Sequence, residues 1–227
     1  MNFGSLYIVA SPIGNLKDFS FRAVETLNEV DFIVCEDTRT TGNLLKHYDI
    51  KKELISFNAR MEEKKIGSVI SRIRSGNSCA LLSDAGTPTI SDPGVRLVNH
   101  AHKENIQVCG LPGANAAILA LSISGLPTNS FVFEGFLPQK KGRQKQLSKL
   151  AKEERTIVLY ESMYRIEKLL NELSEYMPTR YIVIGRELTK MFEELWRGFP
   201  PEILSSLNER VIKGEFVVII SPLGWNN

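Results

Sequence analysis

The chain has 227 residues, 43% hydrophobic and 24% charged, with a net charge of +2. That composition excludes a disordered or fibrous protein, and the small net charge excludes a globally polycationic nucleic-acid binder, so any basic patch must be local. The length fits one large domain or two modest ones, with enough core to need no disulfide or structural metal.

Cys35, Cys79 and Cys109 form no C-x-x-C pair and sit inside or beside apolar runs. They read as buried free thiols in a reducing compartment, and no metal site is expected. The first apolar run, Leu6–Ala10, is cut by Pro12 and Gly14 and has no basic flank, so no signal peptide is expected. No apolar stretch approaches ~18 residues, and the expected location is the cytoplasm.

In the first half, Leu6–Ala10, Asp31–Cys35, Glu53–Phe57, Cys79–Ser83 and Ile106–Gly110 read as strands, being β-rich and flanked by turn residues. Ile66, Val69, Ile70 and Ile73 keep a helical period. Asp92-Pro93 reads as an N-cap with proline at the first helical position, leading into Val95, Leu97, Val98 and Ala101. After Gly125-Leu126-Pro127 come strand candidates at Ser130–Glu134, Thr156–Tyr160, Tyr181–Gly185, Phe192–Trp196 and Phe216–Ser221. Helices are expected at Lys141–Lys152, Met163–Tyr176 and Pro201–Val211. The alternation predicts two α/β domains, 1–114 and 115–227, each a mostly parallel sheet flanked by helices, with a ligand cleft between them.

Four segments at strand ends carry the chemistry. Ser11-Pro12-Ile13-Gly14-Asn15 brings backbone close to a ligand, although a plain strand-to-helix turn explains it as well. Glu36-Asp37-Thr38-Arg39 sets carboxylates beside a guanidinium, either for a substrate or as a surface ion pair with a Thr N-cap. Ser83 to Pro88, continued by Ser91-Asp92-Pro93-Gly94, is longer than a turn requires and has no lysine. With no Walker or dinucleotide motif in the chain, it suits a cationic ligand that takes hydrogen bonds from backbone and a carboxylate, such as an adenosyl sulfonium. Leu111-Pro112-Gly113-Ala114-Asn115 opens an apolar helix, and its small residues allow a flat ligand such as adenine to approach, or simply allow packing on the sheet.

Taken in order, LYIVASPIGNLKD, EDTRTTG, LLSDAGTPTISDPG, LPGANAAILAL, GLP, EGFLP, YES, GRELTK and the closing GEFVVII span residues 6 to about 220. The set resembles the ribosomal RNA small subunit methyltransferase I family of the tetrapyrrole (class III) methylases, whose members 2′-O-methylate a cytidine of small-subunit ribosomal RNA. Ser11 stands where that family usually has Thr, Ala114 where it has Pro, and Met163-Tyr164 interrupts its YESTHR segment. The resemblance implies the two-domain tetrapyrrole-methylase fold and a homodimer. It also implies an S-adenosylmethionine site at Pro12, at Ser83, Asp84, Ala85, Gly86 and Thr87, at Pro112, Gly113 and Ala114, and at Tyr160 and Leu188.

Methyl transfer from a sulfonium to a ribose hydroxyl rests mainly on placement, helped by a base or cation. Asp37, Arg39, Glu187 and Lys190 are the candidates, each equally readable as a structural ion pair. The basic stretch 138–155 puts forward Lys140, Lys141, Arg143 and Lys145 as contacts to RNA phosphates, or as a solvated helix face. Phe136 and Tyr164 are read either as stacking on a splayed-out base or as core. The alternatives are a C-methyltransferase of a corrin precursor and a non-catalytic RNA-binding ribosome-assembly factor.

Overall fold

The computed structural model describes residues 3–225. They form two compact units that divide between Asn115 and Ala116.

The first unit is a five-stranded sheet in the order β3-β2-β4-β1-β5, formed by β1 (Ser5–Val9), β2 (Phe32–Cys35), β3 (Glu53–Ser56), β4 (Cys79–Leu82) and β5 (Gln107–Leu111). Every neighbouring pair is parallel, as expected. Helices α1 (Phe21–Glu29), α2 (Thr38–His47), α3 (Glu62–Arg74) and α4 (Val95–Lys103) cover both faces. Strand alternation separates two cores. Phe32, Val34 and Leu81 pack with Val69, Ile73 and Leu97 from α3 and α4, while Ile33, Cys35 and Leu82 pack with Leu27 and Leu45 from α1 and α2. Burial on both faces explains why these strands read as continuous apolar runs.

Helix α4 corrects the sequence reading. Its N-cap is Gly94 at φ 123°, so Asp92 and Pro93 lie in the preceding loop. That loop is strained, with Thr89 at φ 72° and Ser91 at φ 67°. A Cβ on Gly94 would lie 2.5 Å from Leu81 Cδ2, so glycine is needed there for space as well as conformation.

The second unit carries α5 (Ala116–Ser124), β6 (Phe131–Phe136), α6 (Arg143–Leu150), β7 (Thr156–Ser162), α7 (Ile166–Tyr176), β8 (Ile182–Arg186), β9 (Glu194–Gly198), α8 (Pro200–Ser205) and β10 (Glu215–Ile220). Its sheet order is β6-β7-β10-β8-β9. Here the expectation of a mostly parallel sheet is corrected. Only β6 and β7 run parallel, and the other three pairs are antiparallel. The link from Arg186 to Glu194 is too short for the crossover that parallel neighbours need, so it closes a hairpin. Leu147, Leu169, Leu173, Ile184, Trp196 and Val218 belong to one core cluster, built with α6, α7 and α8. Helix α5 packs against β7, β8 and β10.

Candidate active site

In the first unit, four loops leave the carboxyl ends of β1, β2, β4 and β5, and hydrogen bonds stitch them together. Ser11 and Gly86 exchange both backbone bonds, at 2.9 and 3.0 Å. The Ser11 hydroxyl donates to Ser83 O at 3.0 Å, and the Ser83 hydroxyl donates to Gly86 O at 3.0 Å. Thr87 Oγ1 donates to Ala114 O at 3.0 Å, tying this loop to the one after β5. Gly86 sits at φ 81°, and Gly113 lies so close to Ala10 that a Cβ would meet Ala10 Cβ at 2.7 Å. Pro12, Ser83, Asp84, Ala85, Gly86, Thr87, Pro112, Gly113 and Ala114 therefore belong to one connected rim. Pro12 is buried in it, while Asp84, Ala85, Pro112 and Gly113 are exposed.

The loop after β2 joins the same rim, because the Asp37 N–H donates to Asp84 Oδ1 at 3.1 Å. Asp37, not Thr38, caps α2. Its carboxylate accepts from the Arg39 N–H at 2.8 Å and from the Arg39 guanidinium at 2.8 and 3.3 Å. Those bonds hold its pKa down at about 2, so it stays ionised near neutrality and is a poor base. The opposite holds deeper in the rim. Burial, reinforced by Glu36 and Asp84, pushes Asp92 up to about 6, against a hydrogen bond from Ser83. Burial likewise raises Glu36, with Asp84 and Asp37 adding to the shift. Sequence reasoning places Glu36 and Asp92 in the loop segments but does not single either out as a candidate acid or base. The signal for Asp92 is the Asp92-Pro93-Gly94 continuation of the loop, whose proline also suits a helix start and so draws the reading there.

In the second unit, Tyr160 is half-buried between aromatic rings, 5.1 Å from Phe133 and 5.6 Å from Phe136 between centroids. Leu188 is buried against Gly185, where a Cβ would come within 3.0 Å of it. Its neighbours Glu187 and Thr189 both have left-handed backbones, at φ 50° and 68°. Lys190 Nζ lies 2.8 Å from Glu187 and 2.9 Å from Glu215, and Glu187 Oε1 also accepts from the Glu215 N–H at 3.0 Å. Burial alone would raise Glu187, but these bonds outweigh it and leave its pKa lowered. Burial alone would lower Lys190, but its two carboxylates outweigh that and raise it. Both groups are thus held charged, and the strained turn is pinned.

The basic segment divides. Lys140, Lys141 and Lys145 are exposed and make no ion pair among the described residues. Arg143 is 2% exposed, bonded to Glu172 at 2.8 and 2.9 Å and to Pro138 O at 3.1 Å. Its assignment as a phosphate contact is corrected, because the guanidinium is committed to the interior. Among the described residues, no group of three or more His, Cys, Asp or Glu side chains is placed to hold a metal. No described helix is long and apolar enough to cross a membrane.

The fold is shared with solved methyltransferases. Over 96% of this chain and 90% of its own, diphthine synthase superposes with a TM-score of 0.75 at 14% identity. Cobalt precorrin-4 methyltransferase gives 0.71 at 16% identity, covering 96% of this chain and 94% of that one. Uroporphyrin-III C-methyltransferase from Thermus thermophilus, solved with S-adenosyl homocysteine, gives 0.66 at 17% identity over 95% and 97%. The profile of the tetrapyrrole (corrin/porphyrin) methylases matches residues 5–226, and that is the class this fold and loop set define. The sequence narrows it further. Proteins named ribosomal RNA small subunit methyltransferase I are 50% identical in Streptococcus pyogenes (96% of this chain, 76% of that protein) and 44% identical in Thermotoga maritima (96% and 98%). The chain belongs to the ribosomal RNA small subunit methyltransferase I family of the tetrapyrrole methylases.

Proposed function

We propose that the protein transfers the methyl group of S-adenosylmethionine to the ribose 2′-oxygen of a cytidine in small-subunit ribosomal RNA, acting in the cytoplasm as a homodimer. The observation that carries this reading is the identity of 44–50%, over nearly the whole chain, to proteins bearing that family name. The rim of the first unit fits the donor. Exposed loop backbone at Ala85 and Gly113 leaves room for a flat nucleoside, and Asp84 supplies negative charge for a sulfonium and an ammonium.

S-adenosylmethionine supplies an electrophilic methyl on a sulfur that leaves neutral, so departure needs little acid help. The chain's own work is then to place the hydroxyl in line with that methyl and to receive its proton. Asp37 and Glu187, held ionised by Arg39 and Lys190, serve as fixed charges rather than bases. Arg39 and Lys190 are the cations available to a developing alkoxide. Asp92, with a pKa of about 6, is the rim carboxylate whose basicity best suits proton uptake near neutral pH. Pro12, Ser83 to Thr87, Pro112 to Ala114, Tyr160 and Leu188 are the proposed donor contacts, and Lys140, Lys141 and Lys145 the proposed phosphate contacts.

The test is incubation with labelled S-adenosylmethionine and either small ribosomal subunits or tetrapyrrole precursors, followed by nucleoside digestion and mass spectrometry. Label in 2′-O-methylcytidine supports the reading. Label on a base, on another nucleoside or on a tetrapyrrole carbon overturns it. Light scattering at micromolar concentration tests the dimer.

A further inference from the structure

In the second unit, the strand β6 does not end as a regular strand. Its pairing with β7 shifts register between Phe133 and Gly135, and Gly135 has φ 58°. Such a bulge re-aims the side chains beyond it. Phe136 comes out opposite Tyr160, yet 53% of it remains open to solvent. A buried aromatic needs no such device, and a bare exposed phenylalanine gains nothing from being braced.

Phe136 is braced from two sides. Tyr160 lies 5.6 Å from its ring centroid and is itself set edge-on against Phe133. The Arg165 guanidinium lies 5.7 Å from the same centroid. Arg165 is fixed in turn. Its Nε is 2.8 Å from Glu161, whose side chain is fully buried, and its NH1 donates to Leu137 O at 3.3 Å. The chain leaving Phe136 runs directly into Lys140 and Lys141, both exposed and without ion pairs among the described residues.

From this arrangement we infer that Phe136 is a stacking platform for an unpaired nucleobase of the RNA substrate, with Lys140 and Lys141 holding the adjoining phosphates. A rigid ring offers a π-face to any base, and a cation braced beside it strengthens the contact. Neighbouring lysines supply the charge complementarity that distinguishes a nucleic-acid ledge from a plain apolar patch. The inference rests on the RNA reading above and deepens it by naming where the substrate's base is gripped.

The probe is a short single-stranded RNA carrying 2-aminopurine, whose fluorescence falls when the base stacks. Wild-type protein is expected to bind and quench it, and duplex RNA to compete poorly. Phe136→Leu keeps apolar volume but removes the π-face, and should lose quenching with affinity down about tenfold or more. Phe136→Trp should restore both. Affinity for S-adenosylmethionine, read by calorimetry, should stay the same in both variants. Wild-type protein that fails to bind the RNA removes the RNA reading and this inference together. Binding by wild type with equal affinity and quenching by Phe136→Leu overturns the platform alone. A matching loss of donor affinity would assign the ring to the donor side, and a changed sedimentation coefficient would assign it to a contact between copies. Either result overturns the inference.

Discussion

Arg143 and Glu172 form a buried, doubly bonded ion pair, with Nε 2.8 and 2.9 Å from the two carboxylate oxygens and 3% of the arginine side chain exposed. Glu161, fully buried, lies 3.6 Å away on the other side. Removing one member leaves buried charge uncompensated, so Arg143→Ala should destabilise the protein by about 3–5 kcal/mol. Chemical denaturation checks this. An unchanged midpoint would mean that the network is dispensable.

The neighbouring lysines should behave in the opposite way. Replacing Lys140, Lys141 and Lys145 with glutamine should change stability by no more than about 0.5 kcal/mol per site. RNA affinity should fall, and the slope of log affinity against log salt should become shallower by about 0.7 for each phosphate that is no longer neutralised. Filter binding across a salt series measures both, and an unchanged slope would mark these lysines as a solvated face.

Asp84 accepts the Asp37 N–H and so joins two loops of the rim. Asp84→Ala should cost about 1.5–3 kcal/mol of donor binding, a drop of roughly ten- to a hundredfold in affinity. Calorimetry on a variant with native circular dichroism provides the check, and full affinity would exclude Asp84 from the donor site.

Asp92 titrates at about 6 in the folded protein, above the ordinary aspartate value of 3.8. A raised carboxylate favours the fold while protonated, and that contribution is lost as pH rises through the folded value. Asp92→Asn should therefore raise the melting temperature at pH 8 while leaving it nearly unchanged below pH ~4, where both forms are neutral. If Asp92 is also the proton acceptor, the same variant should lose methyl transfer and the wild-type rate should fall below about pH 6.

The sheet-forming segments of the first unit are legible in the sequence because parallel strands buried on both faces leave unbroken apolar runs such as Phe32–Cys35. Helices α1 and α2 are not. The second is rich in threonine and carries Gly42, and both commit few residues to the core. Strand direction in the second unit escapes the pattern because alternation along a strand says nothing about its partner's direction. The short Arg186–Glu194 link is the available clue. At the site, the rim's loops are visible as Gly-Pro-Asp clusters. Whether a charged residue faces water or an internal partner is not, since Arg143 and Lys145 lie two residues apart and differ only in what the fold places beside them.

The placement of β10 has a consequence for biosynthesis. This strand, formed by residues 215–220, lies in the middle of its sheet between β7 and β8. Until it emerges from the ribosome, those two strands have no partner along the edges it will fill. The first unit, whose five strands are all translated by residue 111, can close while the second is still being made. The sheet of the second cannot close until residues 215–220 have been made. A nascent chain stalled before Glu215 would carry a finished first unit and an open, aggregation-prone sheet in the second.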